Sequence, residues 1–388
     1  MNDSMKTMPR LVISTVGTSL LTNQIDDEFD SGWNEELQKY ANLTRDQVNQ
    51  SHPELVNKIA ELKEKAEKVL STGNTLGIRE ASAELNGIYG LYEEDLSQGQ
   101  KDIHWLITTD TEQGRTTAEI VKSFLVDQGI VNTNIYPEPG SGLSTANTHN
   151  FSKGIAQLIP WIQQVTEGYK KQAKICFNLV GGFKAIQGYM NTIGMFYADE
   201  IIYVFEGSNK LIKIPRLPIE VNKSEVEPYK VPLAMMDFDR ELLTSWEETK
   251  KVTSNWVLVV EPDMTLSTWG QLIWNQCKEY FLSQDKPLKF PKIEYTHSFL
   301  DDYKSKPSDE KVILQENLAR AACLLNNHTD GISAMKQDGI FRLRRYEGKH
   351  KDIDHFDLPK ARRVSCLAKD GQLYLRHYGE HDYVNNNP

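Results

Sequence analysis

Two groups of residues in this 388-residue sequence have types and spacings suited to chemistry. The first is Asn178-Leu179-Val180-Gly181-Gly182-Phe183-Lys184, which follows the apolar run Lys174-Ile175-Cys176-Phe177. A buried strand that ends in two glycines and passes at once into a helix brings free backbone N–H groups, a helix N-terminus and a lysine to one point, a setting for a phosphate. The same residues also make a plain strand-to-helix turn of a parallel sheet, so the surrounding elements must decide. The second group is C-terminal. Arg342 and Arg344 alternate with Phe341 and Leu343, so a strand there sends both guanidinium groups from one face. Arg363 begins a neighbouring strand, and His381 and Tyr383 end the last one, which gives a small patch of Arg, His and Tyr.

The elements that position the first group read as alternating strands and helices. Arg10 to Val16 is a buried strand that ends in the small-residue turn Gly17-Thr18-Ser19. Ile103 to Ile107 is a second strand, ending in Thr108-Thr109-Asp110-Thr111, and Asn134 to Tyr136 is a third. Helices are expected at about 116–128 and 150–166, then a strand at 200–205 with 211–215 as its hairpin partner. This alternation predicts a doubly wound parallel sheet, with Gly17 to Ser19, Thr108 to Thr111, Ser141 to Thr145 and Gly181 to Lys184 gathered beyond the strands' carboxyl ends. Between about 26 and 96 the sequence is polar and helix-prone, with Leu55, Ile59, Leu62, Ala66 and Leu70 on one stripe. It reads as a helical insertion, a hairpin broken near Gly73, and is assigned no chemistry. The fingerprints G-x-G-x-x-G and G-x-x-x-x-G-K-[ST] are missing, which argues against NAD and against a Walker-type triphosphate site.

Further on, 222–289 reads as a connector of helical or winged-helix type, with Trp269, Ile273, Cys277 and Phe281 as a core stripe. Residues 290–388 read as an α+β domain: a strand at 292–296, helices at 298–303 and 311–325, a β-like run at 339–345, and two strands joined by the hairpin signal Lys369-Asp370-Gly371. The domains are therefore 1–221, 222–289 and 290–388.

Bulk properties narrow the classes. A net charge of −10 argues against a general nucleic-acid coat, yet Ile340 to Pro388 holds ten Lys/Arg against seven Asp/Glu. Cys176, Cys277, Cys323 and Cys366 are far apart without a C-x-x-C spacing, as expected of reduced core residues. No Cys/His cluster has metal-ligand spacing, so no metal or cofactor is expected. No apolar run reaches the ~20 residues that cross a bilayer, and Met1-Asn2-Asp3-Ser4 opens no signal peptide, so a cytoplasmic protein without membrane partners is expected.

Gly17-Thr18-Ser19, the strand ending in Thr108-Thr109-Asp110, and Asn178 to Lys184 followed by Tyr203-Val204-Phe205-Glu206 and Ile212-Lys213-Ile214-Pro215 resemble the CRISPR-associated Rossmann-fold (CARF) sensors. The likeness covers roughly residues 8 to 220; the insertion at 26–96 exceeds what is expected in that family. It implies a homodimer that binds a cyclic oligoadenylate, most simply the tetra-adenylate, across its two-fold axis. Gly17, Thr18, Ser19, Thr109, Asp110, Gly181, Gly182 and Lys184 are the expected ligand contacts. A ring of phosphodiesters is itself symmetric, so two copies of one cradle can grip it.

The C-terminal order, with Tyr295-Thr296-His297-Ser298-Phe299, Phe341-Arg342-Leu343-Arg344, Arg363-Val364 and Gly379-Glu380-His381-Asp382-Tyr383, is similar to the RelE family of mRNA interferases. That resemblance implies an endoribonuclease of type III CRISPR defence acting on mRNA in the ribosomal A site, with Arg342, Arg344, Arg363, His381 and Tyr383 as its catalytic set. RNA supplies the 2′-OH nucleophile, so a base, an acid and cationic stabilisation suffice without metal. Tyr383 as a base needs its pKa lowered by the cationic patch. The segment Arg345 to Ala361 is longer than a simple hairpin and is a second place for a catalytic residue. Two other readings stay open: a CARF–HEPN ribonuclease acting on free RNA, whose Arg-x4-His signature fits Arg345/His350 and Arg376/His381, and a sensor whose basic tail grips nucleic acid without cutting it.

Overall fold

The carboxyl ends of the first unit's parallel strands fall in register. In the computed structural model, which describes residues 8–26, 28–139, 142–144, 148–205, 210–238, 249–260 and 263–388, the chain forms two units, Met1–Ile219 and Glu220–Pro388.

The first unit opens with β1 (Arg10–Thr15) and a helical insertion of α1 (Ser19–Thr22), α2 (Trp33–Lys39), α3 (Arg45–Ser51), α4 (Pro53–Thr72), α5 (Thr75–Ala81) and α6 (Ala83–Leu91). There follow β2 (Ile103–Ile107), α7 (Glu112–Asp127), β3 (Thr133–Tyr136), α8 (Thr148–Tyr169), β4 (Lys174–Asn178), α9 (Lys184–Tyr197), β5 (Glu200–Val204) and β6 (Leu211–Pro215). Among the described residues the sheet order is β3-β2-β1-β4-β5-β6, parallel from β3 to β5 and closed by antiparallel β6. This is the doubly wound α/β sheet that the alternating pattern predicts. Thr15 pairs with Ile107 and Ser14 with Asn178, so the turns after β1, β2 and β4 emerge side by side. Strand order reverses between β1 and β4, the place where open α/β sheets leave a crevice for ligands.

The insertion is a string of helices rather than one broken hairpin, and α4, with 20 residues, is the longest of them. α4 buries Leu55, Ile59, Leu62, Ala66 and Leu70, the stripe its periodicity marks, and ends at Gly73. α6 then runs over the end of β4: a Cβ on Gly87 would lie 2.1 Å from Asn178 Oδ1. Asn178 Nδ2 donates to Glu84 O (3.0 Å) and to Ser14 Oγ (3.2 Å), which ties that helix to the two central strands.

The second unit contains α10 (Lys223–Val226), α11 (Lys230–Phe238), the hairpin β7 (Val257–Val260) and β8 (Asp263–Leu266), and α12 (Thr268–Leu282). β9 (Ile293–Tyr295), α13 (His297–Lys304), α14 (Ser308–Asn327), α15 (Gly331–Gln337), β10 (Arg344–Arg345), β11 (Asp354–Leu358), β12 (Arg362–Lys369), β13 (Gln372–Glu380) and α16 (His381–Asn386) complete it. Its sheet runs β10-β11-β12-β13-β9, antiparallel except that β9 lies parallel to β13. The β12–β13 turn has Asp370 and Gly371 both at positive φ (54° and 74°), the backbone that an Asp-Gly hairpin supplies.

Three expectations are corrected here. Residues 222–289 are not a separate connector: Leu233, Met235, Trp274, Cys277 and Phe281 share one hydrophobic core with Phe299, Leu318, Phe356 and Tyr378. Cys323 Sγ even donates to Met235 O. The buried indole of α12 is Trp274, not Trp269, because Trp274 Nε1–H finds Asp237 Oδ2 at 3.1 Å inside that core. Last, 339–345 is strand only at Arg344–Arg345. Asp338 Oδ1 accepts the N–H groups of Ile340 and Phe341, and that turn outcompetes sheet pairing. Among the described residues no helix is long and apolar enough to cross a membrane.

Candidate functional site

At the sheet's carboxyl edge the turns after β1 and β4 touch. A Cβ on Gly17 would stand 3.2 Å from Gly182 N, and one on Gly182, whose φ is +106°, would stand 2.7 Å from Thr15 Cβ. Gly181 O accepts from Thr15 Oγ1 and from Gln187 Nε2, so the double-glycine turn is pinned from two elements. Lys184 opens α9 and is exposed, and Phe183 before it supplies no side-chain cap, so the first N–H groups of this 14-residue helix have no side-chain acceptor. Thr18 and Ser19 are half-buried, and Thr18 makes no capping bond to α1.

The remaining expected contacts are turned inward. Thr109 Oγ1 bonds Thr111 Oγ1 (2.9 Å), and Asp110 accepts the Gly142 N–H (3.2 Å) and faces Arg115 Nε at 3.5 Å. They build the β2–α7 turn. Gly17 is also engaged: its N–H donates to Glu84 Oε1 (2.8 Å), and Ser82 Oγ donates to Glu84 Oε2 (2.9 Å). Glu84 is fully buried, and a Cβ on Gly181 would lie 2.2 Å from its Oε1. A carboxylate therefore already occupies part of the cradle. Glu84 is not visible in the sequence, because a lone glutamate in a helical stretch carries no signal of where the helix will cross. The Ser141 to Thr145 part of the predicted edge lies partly outside the described residues.

In the second unit, cross-strand pairing sets Arg344 opposite His355, His355 opposite Ser365, and Asp357 opposite Arg363, all on one face. Arg344 Nη2 donates to Asp357 Oδ2 (2.9 Å), Arg363 Nε and Nη2 donate to Asp357 Oδ1 (3.0 and 2.8 Å), and His381 Nε2 lies 3.4 Å from the same oxygen. Three of the five expected residues thus meet on one carboxylate. Burial alone would raise the Asp357 pKa, but the bonds from Arg344 and Arg363 hold it below the usual carboxylate value. Asp357 lies within Arg345 to Ala361, the stretch expected as a second place for a catalytic residue. The pairing Asp357↔Arg363 was the missing information.

The other two residues lie elsewhere. Arg342 is off the sheet, at φ +48°, with its Nε donating to Gly339 O. Tyr383 and His381 do not end β13; both are on α16, and Tyr383 turns to a second carboxylate, donating to Asp302 Oδ1 (2.6 Å). Asp302 Oδ2 also takes the Tyr378 N–H (3.0 Å) and lies 2.9 Å from His377 Nδ1. The Tyr383 pKa is pushed up to about 12 by that bond to Asp302 and then by burial, opposite to the expected lowering. At neutral pH its phenol is a donor, not a base. Neither Arg-x4-His pair lies within one helix: Arg345 is in β10 and Arg376 in β13.

His355, 5% exposed, has its pKa lowered to about 4 by burial and by Arg363 and Arg344. The folded value lies below the ordinary 6.5, so the associated stability is present above pH 6.5 and is lost as pH falls toward 4. We expect His355→Gln to lose less of its urea midpoint between pH 7 and pH 4.5 than the parent chain. Equal losses would show that His355 is not desolvated.

Residues 79–217 match the family model described as CRISPR-associated protein (Cas_APE2256). The match supports a CRISPR-associated protein. It takes in Glu84, Thr109, Asp110, Gly181, Gly182 and Lys184, but covers less than half of the chain and ends before the second unit begins.

Proposed function

We propose that this chain is an endoribonuclease of type III CRISPR defence, switched on by a cyclic oligoadenylate bound by a dimer of the first unit. The observation that carries the catalytic half is the convergence of Arg344, Arg363 and His381 on Asp357. In this reading the 2′-OH of RNA attacks the adjacent phosphate. The guanidinium groups counter the charge that grows on the phosphorane, and their fork geometry suits phosphate oxygens. His381, held by Asp357, moves the proton of the attacking hydroxyl or of the leaving 5′ oxygen. Tyr383 serves as a hydrogen-bond donor. No step needs a metal, and the resemblance of the C-terminal motifs to the RelE family supports mRNA on the ribosome as substrate.

The test is the chemistry of the ends. Attack by the 2′-OH leaves a 2′,3′-cyclic phosphate on one fragment and a 5′-OH on the other, and a 2′-deoxynucleotide at the scissile position blocks cutting. A 5′-phosphate product from an unblocked deoxy substrate would refute the scheme.

For the sensing half, the adjoining glycine turns with Lys184 at the head of α9 support an anionic ring. Lys184→Ala should weaken cyclic tetra-adenylate binding tenfold or more, on the ~1.5–3 kcal/mol scale of a hydrogen bond to a charged group. Unchanged affinity by calorimetry would remove Lys184 from the site. One observation favours the alternative of a non-cutting regulator: Arg344 and Arg363 are both engaged by Asp357. Product analysis with ligand present separates the two.

A further inference from the structure

Arg363 is 8% exposed, and all three of its nitrogens are used. Nε and Nη2 go to Asp357, while Nη1 donates to Asn385 Oδ1 at 2.7 Å. The same amide oxygen accepts the Tyr346 hydroxyl at 3.1 Å. One oxygen atom on α16 therefore sits between a guanidinium N–H and a phenol O–H, the kind of donor pair that holds a phosphate oxygen. Beside it the polar inventory does not close. His355 Nδ1 and Ser365 Oγ, cross-strand partners on the face that carries Arg363, are buried without a hydrogen-bond partner. Tyr346 packs against His355 with ring centroids 4.1 Å apart and the planes tilted by 32°. Buried polar atoms left open in this way are costly unless water or a ligand atom completes them.

The segment that supplies the oxygen is weakly built. α16 has six residues, Val384 is the one it buries, and Asn385 is exposed. A helix this short has little stability of its own.

We infer that Asn385 Oδ1 stands in for a phosphodiester oxygen, and that the end of α16 plugs a phosphate site made by Arg363, Tyr346, Ser365 and His355. The inference rests on the ribonuclease reading for the identity of the ligand as RNA. A phosphodiester enters by displacing the amide, because a neutral oxygen is a poorer partner for a guanidinium than a charged one. The plug accounts for Nη1 of Arg363, while Asp357 holds the other two nitrogens of that guanidinium.

The experiment is fluorescence anisotropy of the full chain with a labelled, uncleavable 2′-O-methyl RNA. Asn385→Ala should bind several-fold tighter than the parent, and Asn385→Asp, which puts a carboxylate on Arg363, roughly tenfold weaker. Asn386→Ala, next to it and without that bond, should bind as the parent does. Arg363→Ala separates the two claims. If it weakens binding while Asn385→Ala fails to tighten it, the plug is refuted and the RNA site stands. If neither the parent nor Asn385→Ala binds RNA, or Arg363→Ala binds it as well as the parent does, the RNA site at Arg363 is refuted and the plug with it.

Discussion

Arg363→Ala should lower single-turnover RNA cleavage by about a hundredfold or more, on the scale of losing one preorganised donor from an oxyanion site. Its guanidinium is fixed before any substrate arrives, by two bonds to Asp357 across the β11–β12 pair. A group held so firmly has nothing to reorganise as charge builds on the phosphorane. Arg363→Lys keeps the charge and loses the fork, so it should recover little of the rate. Removing the side chain also leaves Asp357 with Arg344 as its guanidinium partner and costs stability. Rates are therefore to be measured at a temperature where the variant is folded by circular dichroism. A loss of less than threefold in the folded variant would take Arg363 out of the reaction.

The second large effect is expected at the other end of the chain. Gly182→Ala should abolish measurable cyclic oligoadenylate binding and destabilise the first unit by about 1–3 kcal/mol. The methyl group has no room: at φ +106° its carbon would meet Thr15 Cβ at 2.7 Å, on the central strand β1. The turn must open to admit it. That breaks the contact with Gly17 and the bond from Thr15 Oγ1 to Gly181 O. Gly188→Ala, in the open on α9, is the control and should bind normally. Tight binding by a folded Gly182→Ala chain would show that the ring sits elsewhere.

The central strands β1, β2 and β4 were legible because each is a largely apolar run followed by small residues, as in Arg10 to Val16 before Gly17-Thr18-Ser19. Short side chains end a strand and leave its edge open, so the same residues marked both the fold and the crevice. The Asp-Gly hairpin at 370–371 was legible for a similar reason, since few residues tolerate its two positive φ angles. Carboxylates were not legible. Glu84 and Asp357 look like any surface acid until α6 crosses β4 and β11 pairs with β12, and only tertiary packing supplies those crossings. Arg342 was misplaced because alternation in burial does not require a strand: Phe341 and Leu343 are buried and Arg342 exposed within a turn that Asp338 caps. Tyr383 was misjudged in sign, because its near neighbour is the Asp302 carboxylate and not the cationic patch.

The measurement that bears most directly on the whole account is single-turnover cleavage of mRNA on programmed ribosomes by the full chain, with and without saturating cyclic tetra-adenylate. The account predicts cutting in the A-site codon with ligand and a rate at least tenfold lower without it, and ligand-independent silence in Arg363→Ala. Equal cleavage with and without the ring, or none under either condition while the ring binds tightly, would contradict it.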